Sequence, residues 1–427
     1  MKKRILYLIV CIQTAIFCVG TTHAQPIQQQ IWSDYVLEDK RARLDKDIRE
    51  NTVARNFRLQ IDSDNEHKFE DACLAISQFL FTGPEIMNGF NKMFAAYSWA
   101  EYDTKRALLE AVYAVYPNEY SDSVASKIKI ETDADLFALN AVYLLRHDSS
   151  VNNQNDLKIA MVERFPGYDT IAVLAQLEKY INGYEASKHL RRPDLRSLFK
   201  HQRMIGRKVI YSLQRWNRDY PGLAIIQHAN GEFARDNDGR LLVFQQLARS
   251  GSDLPYFLRN GSTPQGVYSL FGSAISKTKW IGPTPNLQMG LPFEHPWQRY
   301  FHQPLAPRQD SLQLYNQLFP PTWQKYEPMM EAWNAGKLGR SAIIAHGTTI
   351  DPAYFREKPF FPLTPTMGCL CAREEWDVKT GRLQLSEQFA LVSTYISSPG
   401  KDGYLYVINL DDEQSPVSRE EIEKIIK

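Results

Sequence analysis

Two residues in the last quarter of the chain have the types that nucleophilic acyl chemistry needs. His346 ends the short apolar run Ala342–Ala345, and Cys369 sits in a Thr366-Met367-Gly368-Cys369 turn. A free thiol has a pKa of about 8.5 and is mostly protonated at neutral pH, so a cysteine nucleophile needs a neighbouring base or cation. His346 meets that need if the strand ending at it lies beside the segment holding Cys369. The separation of 23 positions, filled by a loop of proline and aromatic residues, is long enough for the chain to return. Gly368 lets the backbone approach a substrate closely, and the amides near Cys369 could receive an oxyanion. Spacing alone leaves the matter open, because a buried structural cysteine is among the commonest uses of the residue.

The other candidates are fewer. Of five cysteines, only Cys73, Cys369 and Cys371 follow the first 24 residues. That odd number provides no disulfide framework and flags a reactive thiol if the compartment is oxidising. Cys371 would share a face with Cys369 on a strand, but no further cysteine or closely spaced histidine completes a tetrahedral ligand set. No metal and no organic cofactor is therefore expected. Cys371 reads as filler, and Cys73, on an apolar helical face, as core. His295 and His302 flank Trp297, Arg299 and Tyr300 in an aromatic segment. They belong either to a packed or solvated loop or to a substrate contact.

Length and composition bound the compartment and the partners. The 427 residues imply two domains or more, and 44% apolar content implies globular structure throughout. Fifty basic against 49 acidic side chains, with no basic stripe, exclude a nucleic-acid footprint. Lys2, Lys3 and Arg4, an apolar stretch from Ile5 to about Val19, and small residues at Thr22 and Ala24 form the pattern of a secretory leader over residues 1–24. Its removal leaves 47 basic and 49 acidic side chains and no integral membrane segment. The expected location is the periplasm or cell envelope.

Two kinds of element are expected to position the chemistry. Apolar residues at helical spacing occur over Phe69–Phe81, Ile86–Trp99, Ala107–Tyr116, Leu136–Leu145, Leu157–Phe165 and Ile171–Ile181. Asp103 and Asp133 stand where N-caps belong, and Pro117, Pro166 and Gly183 where helices stop. Aromatic residues here, such as Tyr97, Trp99, Tyr113 and Tyr116, read as core rather than a saccharide platform. A last helix is predicted over Pro193–Arg218, ended by Pro221-Gly222. The period then alternates, with strands predicted at Leu223–His228, Leu241–Ala248, Gly266–Phe271, Ser341–Ala345, Phe389–Tyr395 and Tyr404–Leu410. The long Pro- and aromatic-rich stretch between Tyr268 and Ser341, an insertion of about 272–340, reads as a functional lid, an excursion with short helices, or packed decoration. The expectation is a multidomain chain: an all-α domain over 25–204, then a mainly β domain over 205–427.

Three ordered motifs give this layout a family resemblance. Thr263-Pro264-Gln265-Gly266 ahead of a strand, His346-Gly347-Thr348 at a strand end, and Thr366-Met367-Gly368-Cys369-Leu370 together resemble the L,D-transpeptidase catalytic domain of bacterial cell-wall enzymes. Arg249-Ser250-Gly251 and the helix taken to end at Leu213-Gln214-Arg215-Trp216 resemble its opening strands and the lead-in of the larger members, which carry a helical scaffold domain. The resemblance spans about residues 205–411. It implies Cys369 as nucleophile, His346 as base, the Gly347 carbonyl as the group orienting the imidazole, and Gly368, Thr366 and Arg373 around oxyanion and substrate. Met367 stands where many members have a second histidine, and Cys371 where they often have Arg or Asn. The implied partners are peptidoglycan stem peptides, with carbapenems as inhibitors. The implied reaction is attack at the third stem residue, loss of the terminal D-residue, and acyl transfer to an amine. Water as acceptor would make an L,D-carboxypeptidase, and a degenerate site a non-catalytic wall binder. A sortase-like order of His, Cys and later Arg fits the TPQG element less well.

Overall fold

The computed structural model describes residues 28–188 and 190–426. The leader expected over residues 1–24 lies outside the described residues. A helical region comes first and a strand-rich region with a closed eight-stranded barrel follows. No helix of the described residues is long and apolar enough to cross a membrane.

The helices form where apolar side chains repeat on one stripe. In Glu66–Phe79, the residues Phe69, Ala72, Cys73, Ile76 and Phe79 are all buried, the spacing of a core-facing stripe. Asp133 caps Ala134–His147 by accepting from the amides of Asp135 and Leu136. Helices Tyr102–Val115 and Val151–Arg164 end just before Pro117 and Pro166. Gly183, expected as a stop, instead lies inside helix Ala172–Lys188, and Asp103 lies in a first turn rather than at a cap. A further helical run, Glu38–Arg58, contains a π-helical stretch over Asp47–Ala54.

The barrel strands are β1 (Val209–Gln214), β2 (Gly222–Gln227), β3 (Phe244–Leu247), β4 (Gly266–Ala274), β5 (Asn286–Gly290), β6 (Ala345–His346), β7 (Leu370–Ala372) and β10 (Tyr404–Asn409). β8 (Glu374–Trp376) and β9 (Leu383–Ser386) form a separate hairpin, onto which the N-terminal residues Ile31 and Val36 pack. The barrel order is β1-β10-β4-β5-β6-β7-β3-β2, with β1/β10 and β6/β7 parallel and the other pairs antiparallel.

Two element assignments change, and one reading left open is narrowed. The helix predicted over Pro193–Arg218 stops at Ile205, where Gly206 adopts a left-handed φ of 71°, and Val209–Gln214 becomes β1. Hydrogen-bonded neighbours on both sides and full burial override the apparent helical period there. Phe389–Tyr395 is not a strand but part of helix Glu387–Ser397, capped by Ser386, whose hydroxyl accepts from the Phe389 amide. The insertion of about 272–340 is structural: it supplies β5, and its residues Tyr300, Tyr315, Trp323 and Met329 are buried against the outer face of β1, β4 and β10. Tyr300 donates to the Val267 carbonyl at 2.7 Å, and Tyr315 takes the Val267 amide at 3.1 Å.

One core crosses both regions. The helical core continues into Leu247, Leu254, Phe257, Leu258, Phe355, Phe360 and Leu363 of the strand-rich region. Polar contacts seal the same seam: Arg106 donates to the Arg259 carbonyl at 2.9 Å, and Asn260 donates to Glu110 at 3.1 Å. The helix over Leu195–Ile205, by contrast, packs on the barrel through Leu195, Leu198 and Phe199.

Candidate active site

The site is built where β6 and β7 lie side by side. Ala345 pairs with Leu370 and His346 with Cys371, in parallel register. Ala345 and Leu370 enter one barrel core, so the alternate residues His346 and Cys371 face the other way, and Cys369 lies in the bend just before β7. Cys369 stands two residues before Cys371, the residue that pairs with His346.

His346 is buried and its Nδ1 lies 2.5 Å from the Gly347 carbonyl oxygen. A carbonyl can only accept, so Nδ1 carries the hydrogen and the lone pair of the neutral ring is on Nε2. Burial pushes the ring's pKa below the ordinary histidine value, opposed by the Gly347 hydrogen bond. The neutral, proton-accepting form is thus the resting form near pH 7.

The turn before β7 is tied from three sides. Thr366 Oγ1 accepts from the Gly368 amide at 3.1 Å and donates to the Cys369 carbonyl at 2.9 Å. Thr263 Oγ1 donates to the Gly368 carbonyl at 2.9 Å, which brings the TPQG element onto the turn. The Gly251 amide donates to the Thr366 carbonyl at 2.7 Å, so the Arg249-Ser250-Gly251 segment holds its start. One consequence corrects an expectation: the Gly368 amide is engaged by Thr366 and is no spare oxyanion donor in this conformation. Cys369 itself is half-buried, with Sγ 3.7 Å from the Ala342 carbonyl. Ala342 is held in a left-handed conformation, φ 59°, by its amide donating to Glu294 at 2.8 Å.

Of the residues predicted from sequence, hydrogen bonds bring together Thr263, Thr366, Gly368 and Cys369, while His346 and Gly347 lie on and just after β6, the strand beside β7. Arg373 stands four residues past Cys369, about 13 Å along an extended chain, and is ion-paired with Glu375. Cys371 is fully buried beside Thr364, and burial pushes its thiol up to about 12, so it is inert filler as expected. Cys73 is core, its sulfur 3.5 Å from that of Met93. His302 bonds Ser269 at 2.8 Å and the Gly403 carbonyl at 3.0 Å, and His295 packs edge-on to Phe271. Both are packed at β4, three strands from β7 in the barrel order. Met367 faces Leu74, Ser77 and Gln78 of the helical region, and Gln78 donates to the Pro365 carbonyl at 3.4 Å.

Two residues that sequence reasoning missed complete the site. Arg340 is half-buried and donates to the carbonyls of Tyr256, Ser262 (3.1 Å) and Gly261 (2.8 Å). A Cβ on Gly368 would lie 2.4 Å from its Nη2, so the guanidinium rests against the turn and places positive charge beside Cys369. Glu374, 6% exposed, accepts from the Thr348 amide at 2.8 Å and from Ser386 Oγ at 2.7 Å. Nothing in the one-dimensional sequence separates Arg340 or Glu374 from surface charges. Alternation along β7 and β8 was the only available hint for Glu374.

Compared with known proteins, the chain matches no family model, no curated protein and no solved structure. Fold and site therefore define the class on their own: a helical region joined to a closed barrel, with His346 on β6 and Cys369 at the turn that enters the adjacent parallel strand β7.

Proposed function

We propose that this chain is a cysteine acyltransferase of the L,D-transpeptidase type, acting on peptidoglycan stem peptides in the periplasm or cell envelope. The observation that supports the reading is the parallel β6/β7 register, which sets the turn holding Cys369 beside the strand holding His346, whose Nδ1 is held by the Gly347 carbonyl. In this reading His346 Nε2 takes the thiol proton and Cys369 Sγ attacks the carbonyl of the third stem residue. The amide bond to the terminal D-residue then breaks, its nitrogen leaving with the proton from His346. A neighbouring stem's amine attacks the thioester, forms the new amide and releases the thiol. The Arg340 charge beside Cys369 supports the thiolate.

The test is incubation of the purified protein with disaccharide-tetrapeptide muropeptides and separation of the products. Crosslinked dimers are expected, absent from Cys369→Ser and His346→Ala. Tripeptides without dimers would replace the amine acceptor with water. No product, together with no covalent carbapenem adduct on Cys369 by intact mass, would overturn the enzymatic reading in favour of a wall-binding protein.

A further inference from the structure

We propose that Glu374 is a positioning residue for His346, acting through the Gly347–Thr348 peptide group, so that carboxylate, peptide, imidazole and thiol form one relay. This rests on the reading of Cys369 as nucleophile and His346 as base. The Thr348 amide and the Gly347 carbonyl are the two ends of a single planar peptide unit. Glu374 accepts from its N–H at 2.8 Å, and His346 Nδ1 donates to its C=O at 2.5 Å. An anion on the N–H side favours the resonance form with more negative charge on the carbonyl oxygen, and hydrogen bonds in such a chain polarise one another. The backbone carbonyl that replaces the acid of a Ser-His-Asp triad is thereby made a better acceptor.

The surroundings keep this arrangement fixed. Trp376, two residues on and on the same face of β8, donates Nε1–H to the Thr348 carbonyl at 2.8 Å, so β8 grips Thr348 at both its amide and its carbonyl. Ser386 orients the second carboxylate oxygen at 2.7 Å. A Cβ on Gly347 would fall 2.1 Å from the Glu374 carboxyl carbon, so the glycine lets the carboxylate seat directly on the peptide. The titratable group facing Glu374 from β7 is Cys371, whose thiol stays protonated. In the acylation step the proton moves from Cys369 Sγ to His346 Nε2, and charge appears on the ring. In its ionised form Glu374 stabilises that charge through the peptide, without taking a proton from the ring.

The test pairs a variant with a measurement on the unaltered protein. Glu374→Gln keeps the size and one acceptor oxygen but removes the charge. It should lower the second-order rate of carbapenem acylation about tenfold or more and move its acid limb to lower pH, with the melting curve preserved. Glu374→Asp should recover part of the rate. A folded Glu374→Gln with unchanged rate and unchanged limb would overturn the proposal. If Glu374→Gln does not fold, NMR of the wild type decides. The Thr348 amide proton should lie far downfield, and its shift and the His346 ring signals should show a common step as Glu374 titrates. Absence of that common step overturns the relay. Failure of the underlying reading is separate: Cys369 would then resist acylation in the wild type, whatever the NMR coupling shows.

Discussion

The turn residue Gly368 carries the tightest steric demand at the site. Its φ of 113° lies where side chains are disfavoured, and a Cβ would fall 2.4 Å from Arg340 Nη2 and 2.7 Å from the Gly261 carbonyl oxygen. The arginine cannot retreat without surrendering its bonds to the 256–262 loop, and the carbonyl is backbone. Gly368→Ala is therefore expected to cost about 2 kcal/mol or more of stability and to slow acylation of Cys369 at least tenfold. Thermal unfolding and mass-detected carbapenem uptake check both, and a variant of wild-type stability and rate would refute the packing account. At this scale the sequence was legible for residues that make chemistry by type. Cys369, His346 and the glycine at 368 could be picked out as candidates because the chemistry proposed for them follows from their residue types. Arg340 and Glu374 could not, because a charged residue becomes functional only when burial and partners make it so.

Among the elements, the site depends on segments far apart in sequence meeting at one turn. Thr366 closes the turn on itself, Thr263 pins it from the TPQG element, and Gly251 pins its start. Thr366→Val keeps the volume but leaves the Gly368 amide and the Cys369 carbonyl without that partner, at a cost of about 1–3 kcal/mol. The Gly368 amide then becomes available to an oxyanion while Cys369 loses its fixed direction. Loss of position dominates, since a misplaced nucleophile loses more rate than one added donor returns. Acylation is expected to fall while Thr366→Ser, which retains the hydroxyl, stays near wild type. A faster Thr366→Val would show that the amide, not the turn, limits the reaction. Element type was legible where period and caps agreed, as in Glu66–Phe79 and Ala134–His147. It failed at β1 and at Glu387–Ser397, where short apolar runs fit either period and only tertiary partners decide. The three-residue β7 and the two-residue β6 leave too little pattern to read, yet they position the whole site.

For the whole molecule, the shared core makes the helical region part of what holds the site. Phe355, Phe360 and Leu363, in the loop between His346 and Cys369, are buried in the same cluster as the helices, so neither region can lose its core without disturbing that loop. Urea unfolding should accordingly proceed in one transition by both helical and aromatic signals. Its pH dependence follows from two carboxyls that the fold desolvates. Burial pushes Glu331, which holds Gln265 of the TPQG element through the backbone amide at 2.8 Å, up to about 7, and does the same to Glu374. In an unfolded chain each titrates near 4.3, so between about pH 4.3 and 7 the folded state binds more protons and stability falls as pH rises. The buried His346 works in the opposite sense: its lowered pKa makes stability rise with pH up to about 6.5. The two trends overlap below that point, so wild-type data alone do not separate them. Glu331→Gln does, because its lost hydrogen bond is an offset independent of pH, whereas its lost titration is not. The stability of wild type minus that of Glu331→Gln, from urea unfolding at pH 4 to 8, should decline steadily over the window and level off above about pH 7. A flat difference would mean that Glu331 is ionised throughout and that Arg218, which faces it, neutralises it in the fold.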